Sequence, residues 1–198
     1  MNRPVSDKAL RNSRLKLLLI AAIFAAPMLA AGLLSLSGWQ PGTKGHGEPI
    51  LPQRNFATEA LKIPLNDGSD YAWRDEQPRM TLVVLTGSAC ATQCLDQLEA
   101  VAKARVMLNR NQPRLRLLLV GALPAGQSVT GNRLQLGANP DASYLVGHDP
   151  DARLAAFAPT VADGVSAVLV ESNGTALSFY PAGFDAAGLA QDLQKVIR

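Results

Sequence analysis

The most constraining feature of this chain is an uncharged run, Leu17 to Leu34, reading LLLIAAIFAAPMLAAGLL. Ser35 and Leu36 extend it to the ~20 residues that cross a hydrocarbon core. Arg3, Lys8, Arg11, Arg14 and Lys16 precede it against Asp7 alone. A basic flank on one side orients a span, so the sequence predicts a cytoplasmic leader at 1–16, a transmembrane helix at 17–36, and export of the chain beyond residue 36. Trp39 suits the outer interface, and Pro27 is tolerable in lipid, where packing or a kink absorbs the lost hydrogen bond. A cleaved secretory signal is the competing reading. The run is longer than a signal's usual apolar region, and Leu29-Ala30-Ala31 puts a bulky residue where cleavage needs a small one. Either reading exports the domain.

Nineteen Lys and Arg against sixteen Asp and Glu invite a nucleic-acid reading. The excess sits in the leader, however, and the rest of the chain is close to neutral, so no basic groove and no nucleic-acid partner is expected. A content of 47% hydrophobic and 18% charged residues excludes a disordered chain. Two cysteines exclude a dense disulfide scaffold and any four-cysteine metal site within one chain, leaving room for one redox or metal-binding pair.

After the span, residues 37–54 are rich in Gly and Pro without apolar periodicity and read as a tether, with a folded domain over 55–198. Ala60 to Leu65 and Tyr71 to Trp73 flank an Asn66-Asp67-Gly68-Ser69 turn and suggest a short hairpin. Thr81 to Leu85 and Arg114 to Val120 are buried-strand runs separated by a helix over Thr92 to Arg110, with Ser88 as its expected cap: a βαβ unit. Residues 122–146 are poorly periodic. Asp149-Pro150-Asp151 opens a short helix through Phe157. Val165 to Val170 and Ala176 to Tyr180 flank an Asn173-Gly174 turn, and Asp185 caps a closing helix. The order β, α, β, α, β, β, α is that of an α/β thioredoxin-like fold: a central mixed sheet with flanking helices, here with an extra N-terminal hairpin and an insertion.

Cys90-Ala91-Thr92-Gln93-Cys94 falls between the first central strand and the helix. The helix N-terminus favours negative charge, so the Cys90 thiol is expected to ionise readily, while Cys94 aligns with Leu98 and Val101 and faces inward. Cysteines at i and i+4 are near enough for a disulfide or for two thiolates to share one soft metal ion. Three readings stay open: a structural disulfide, a redox pair that makes Cys90 and Cys94 catalytic, and a metal pair.

A single span, this element order and C-x-x-x-C at the first helix resemble the Sco family of membrane-anchored copper chaperones for cytochrome c oxidase. The resemblance covers about Asn55 to Arg198 and implies copper held by Cys90 and Cys94. Where that family has a proline after each cysteine this chain has Ala91 and Leu95, and its Asp-His-Ser-like step, source of a third ligand, is here Asp163-Gly164-Val165. His148, in Gly147-His148-Asp149-Pro150, and His46, in the tether, are the candidates to replace it. Their ordinary readings are a turn residue and a solvated linker residue.

A nearer likeness is to single-span bacterial transmembrane proteins found with the oxidase genes and their assembly factors. It rests on His46-Gly47-Glu48 followed by Pro52, on Tyr180-Pro181, and on a closing helix ending Asp192-Leu193-Gln194-Lys195. Together these resemblances imply a factor of the bacterial inner membrane, its N-terminus cytoplasmic and its domain periplasmic. It would assist cytochrome c oxidase subunits or assembly factors by copper handling or thiol maintenance through Cys90 and Cys94. The alternative is a non-catalytic interaction module with a structural disulfide. An enzyme is the less favoured reading; as one, the chain would be a thiol-disulfide oxidoreductase.

Overall fold

Runs of Leu and Val without a polar break are satisfied where both faces of a strand are covered. Such runs form the centre of the sheet. The computed structural model describes residues 7–36, 45–137 and 139–197, without the side chains of 7–15, 18 and 34–36. Leader residues 1–6 and tether residues 37–44, Trp39 included, lie outside the described residues. The chain divides into two compact units, Met1–Lys44 and Gly45–Arg198.

In the first unit, α1 spans Asp7–Leu36, and Leu19, Ile20, Ile23, Phe24, Met28, Leu29 and Leu33 are all exposed on it. Among the described residues no helix is long and apolar enough to cross a membrane.

The second unit is an α/β thioredoxin-like domain with one mixed sheet. Its strands are β1 (Glu48–Pro49), β2 (Met80–Thr86), β3 (Leu115–Val120), β4 (Val129–Thr130), β5 (Arg133–Gln135), β6 (Ser143–Gly147), β7 (Val165–Val170) and β8 (Ala176–Tyr180). They are ordered β1-β8-β7-β2-β3-β6-β5-β4. Strands β2, β3 and β6 are parallel; β7, β8 and β1 continue antiparallel on one side and β5 and β4 on the other. Because side chains alternate along a strand, each central run feeds two cores. Leu82, Val84, Leu117, Leu119, Ala167 and Leu169 pack with α2 (Thr92–Val106) and α3 (Ala186–Val196). Val83, Leu85, Leu118, Val120, Val168 and Val170 face the other way, onto Phe56, Ile63, Tyr71, Trp73 and Phe157.

That second face is covered by irregular chain rather than by a long helix. The expected hairpin over 60–73 reduces to an isolated bridge, Pro64 to Asp70, flanked by hydrogen bonds from Tyr71 to the Ile63 carbonyl at 2.9 Å and from Leu65 to the Ser69 carbonyl at 2.8 Å. Aromatic edges replace it: Phe56 and Tyr71 both meet Trp73 at 5.0 Å between ring centroids, and the Trp73 indole donates to the Leu61 carbonyl at 2.7 Å. The expected helix through Phe157 is one 3-10 turn, Ala155–Phe157, since Ala152 just ahead of it takes a left-handed φ of 52° that a right-handed helix does not carry. The helix expected to reach Arg110 stops at Val106, and Asn109–Arg114 continues as 3-10. Asp185 caps α3 as expected, accepting from Ala187 and Gly188 at 3.1 and 2.9 Å, which contributes about 1 kcal/mol.

Candidate functional site

The site is built where β2 and β7 run past their last paired residues. Gly87 donates to the Gly164 carbonyl and Ala89 to the Ala162 carbonyl, each at 3.0 Å, so the 87–89 and 161–164 turns remain zipped together beyond the ladder. A Cβ at Gly87 would stand 2.3 Å from the Ala162 oxygen and 2.4 Å from that of Val161. Both are backbone atoms, so the position admits glycine only.

From this fixed platform the chain turns into α2. Cys90 and Cys94 are joined by a disulfide, with their Cα atoms 5.0 Å apart. Cys94 is fully buried beside Leu98 and Val101, as its spacing implied, and Cys90 is 6% exposed. Ser88, Ala89, Ala91 and Thr92, the neighbours of Cys90 in sequence, are exposed and small.

Helix α2 begins with Ala91 in its N-cap position, without a side-chain cap of its own and without an acid in its first turn. The expected cap, Ser88, lies too early in the turn to serve. The first amides of a helix need partners, and here they find Asp163 from the opposing turn. Its Oδ1 accepts from Ala91 at 2.6 Å and from Cys94 at 3.2 Å, and its Oδ2 accepts from Gln93 at 3.1 Å. A full negative charge therefore occupies the helix terminus that was expected to favour a Cys90 thiolate. Sequence reasoning marks Asp163 only as part of the step lacking a histidine. A helix opening on Ala-Thr-Gln with no local cap is the available sign that one must come from elsewhere.

The two histidines are held by other partners. The His46 backbone N–H donates to Asp192 Oδ2 at 2.5 Å, and its ring Nδ1 lies 3.4 Å from Oδ1. The same carboxylate takes the Gly47 N–H, the Tyr180 hydroxyl and the Lys195 ammonium, each at 3.3 Å. The His46 ring rests on Gly188 of α3, where a Cβ would meet it at 2.6 Å. Burial alone would raise the Asp192 pKa, but the donors from His46, Lys195 and Gly47 outweigh it and hold the carboxyl below the ordinary aspartate range. The Tyr180 phenol is pushed up, first by burial and then by the neighbouring Asp192 charge and their hydrogen bond. His148 pairs through Nε2 with Asn66 Oδ1 at 2.9 Å. Among the described residues no group of three or more His, Cys, Asp or Glu side chains is placed to hold a metal ion.

No curated protein matches the chain. Solved structures similar to it include Arabidopsis thaliana ScoI with copper bound, at 14% identity over 76% of this chain and 97% of that one, TM-score 0.49. A thioredoxin-like protein from Aeropyrum pernix is similar at 12% identity over 71% and 92%, TM-score 0.47. The exposed lipoprotein thioredoxin of Streptococcus pneumoniae is similar at 14% over 68% and 98%, TM-score 0.42. Residues 80–198, more than half of the chain, match the family described as transmembrane-like, thioredoxin-like, C-terminal domain, and the chain belongs to that family.

Proposed function

We propose that this chain is a membrane-anchored thiol–disulfide factor of the periplasmic face that assists cytochrome c oxidase assembly by keeping a partner's cysteines reduced. The observation that carries the reading is the Cys90–Cys94 disulfide at the turn from the central strand into α2, beside small exposed residues. In the dithiol form, the Cys90 thiolate attacks a partner disulfide, forms a mixed disulfide and releases one partner thiol. Cys94 then attacks the Cys90 sulfur, freeing the second partner thiol and closing the intramolecular disulfide. Two electrons pass to the partner, and an external dithiol restores the pair. Cys90 is the attacking sulfur because it is the less buried of the two.

The anchor is supported by the apolar run Leu17 to Leu34 and its basic flank, which set the N-terminus in the cytoplasm. The partner is supported by the resemblance to proteins found with oxidase genes. Copper as cargo would use the same sulfurs after reduction, with His46 or His148 released from Asp192 or Asn66 to join them.

The test pairs two measurements on the reduced full-length chain in detergent, with Cys90→Ser and Cys94→Ser alongside. Reduction of a model protein disulfide is expected in the wild type and absent in both variants. Competition with a chelator for copper(I) is expected to give equal, weak retention in all three. A wild type that reduces nothing leaves a structural disulfide, and tight copper retention lost in both variants turns the reading to copper handling.

A further inference from the structure

We infer that Asp163 is a positioning residue that holds the Cys90–Cys94 couple toward its disulfide form and so makes the dithiol a strong reductant. The inference deepens the thiol–disulfide reading and rests on it. A cysteine at a helix N-terminus ordinarily borrows the free amides and the helix dipole to stabilise the sulfur anion that reduction creates. Stabilising the reduced form in this way makes a disulfide oxidising. In this chain those amides are already taken. Ala91, Gln93 and Cys94 donate to one carboxylate, which also brings its own negative charge to the same place. Reduction therefore generates anionic sulfur where the donors are occupied and the field is unfavourable.

Geometry acts in the same direction. Asp163 Oδ1 alone accepts from both Ala91 and Cys94, so one atom ties the two ends of the short cysteine ring. With the bridge opened, those hydrogen bonds still hold the Cα atoms of Cys90 and Cys94 near their 5.0 Å separation, and the effective concentration of one thiol at the other stays high. The carboxylate cannot drift, because its turn is zipped to 87–89 at the position where only glycine fits. In the equilibrium with a thiol buffer, one Cys90–Cys94 disulfide and one reduced dithiothreitol become two protein thiols and one cyclic dithiothreitol disulfide. Two electrons and two protons move, and Asp163 weights the protein side toward the bridge.

The test equilibrates the full-length chain in detergent against mixtures of reduced and oxidised dithiothreitol and reads the dithiol fraction by alkylation and gel shift. Wild type is compared with Asp163→Asn, Asp163→Ala and Asp185→Ala. Asp163→Ala is expected to move the equilibrium at least tenfold toward the dithiol, a rise of ~30 mV for a two-electron couple. Asp163→Asn, which keeps an acceptor oxygen but loses the charge and keeps the protein folded should the alanine variant fail, moves the same way by a smaller factor. Asp185→Ala weakens a cap whose carboxylate holds the Ala187 and Gly188 amides of α3 rather than those of α2, and leaves the equilibrium unchanged. Asp163 variants that melt earlier but keep the wild-type equilibrium overturn the inference, since a cap of purely structural value would do only that. A wild type unable to reduce a protein disulfide, combined with shifted Asp163 variants, sinks the proposed function and leaves the Asp163 assignment standing.

Discussion

Two carboxylates tie distant pieces of backbone together in this domain, one at each of its seams. Asp163 reaches from the turn before β7 to the start of α2 and is partly exposed. Asp192 lies on α3 with its side chain 8% exposed and takes the backbone N–H groups of His46 and Gly47, where the chain arrives from the tether. The chemistry is the same and the setting is not. Water can replace Asp163 at a helix end, whereas Asp192 is itself buried and is the acceptor for the hydroxyl of buried Tyr180, even though His46 and Lys195 beside it reach solvent. A partly exposed carboxylate is thus free to act on the nearby sulfurs through the amides it holds, at little cost to the fold, and a buried one serves mainly stability.

Removing each carboxylate tests that contrast. Asp192→Ala leaves several charge-assisted hydrogen bonds unmade and is expected to cost about 2–3 kcal/mol in urea unfolding. Asp163→Ala, the loss of a helix cap, is expected to cost about 1 kcal/mol in the same assay. Equal losses would break the comparison. The smallest effect is in acid. Because the folded-state pKa of Asp192 is depressed, its contribution is fully present above the unfolded value of ~3.9 and lost as pH falls through the lower folded value. Asp192→Asn should therefore flatten the fall in stability below about pH 4. The loss in the wild type is smaller than that from Asp192→Ala, since a protonated carboxyl still accepts hydrogen bonds.

The same contrast separates what was legible in the sequence from what was not. Thr81–Leu85, Arg114–Val120 and Val165–Val170 announce central strands because burial on both faces favours unbroken apolar runs over alternation, and the structure keeps them within a residue or so. Cys94, Leu98 and Val101 were legible as one inward helix face. Strands β4 and β5 were not: they bury little beyond Leu134, and two or three residues establish no period. The site was half legible. Cys90 and Cys94 are marked by their chemistry, but their modifier lies about seventy residues away and contacts backbone amides, which every residue except proline carries. Likewise His46, read as a solvated linker residue, sits on α3 through Asp192 and Gly188, neither of which has a local signal pointing to it.

The short pairing of Glu48–Pro49 with Phe179 and Ser178 bears on how copies of this domain coexist when crowded on a surface. A bare outermost strand offers a row of amides and carbonyls that a neighbour's chain can extend. Here the arriving polypeptide lies along β8 as a sealing strip. Beyond it, Ala176 donates to the Arg54 carbonyl and Asn55 bridges Thr175. Pro49, with no N–H to offer outward, closes the strip to further growth. The segment that leads to the proposed anchor is thus also the part that keeps one copy's sheet from joining the next.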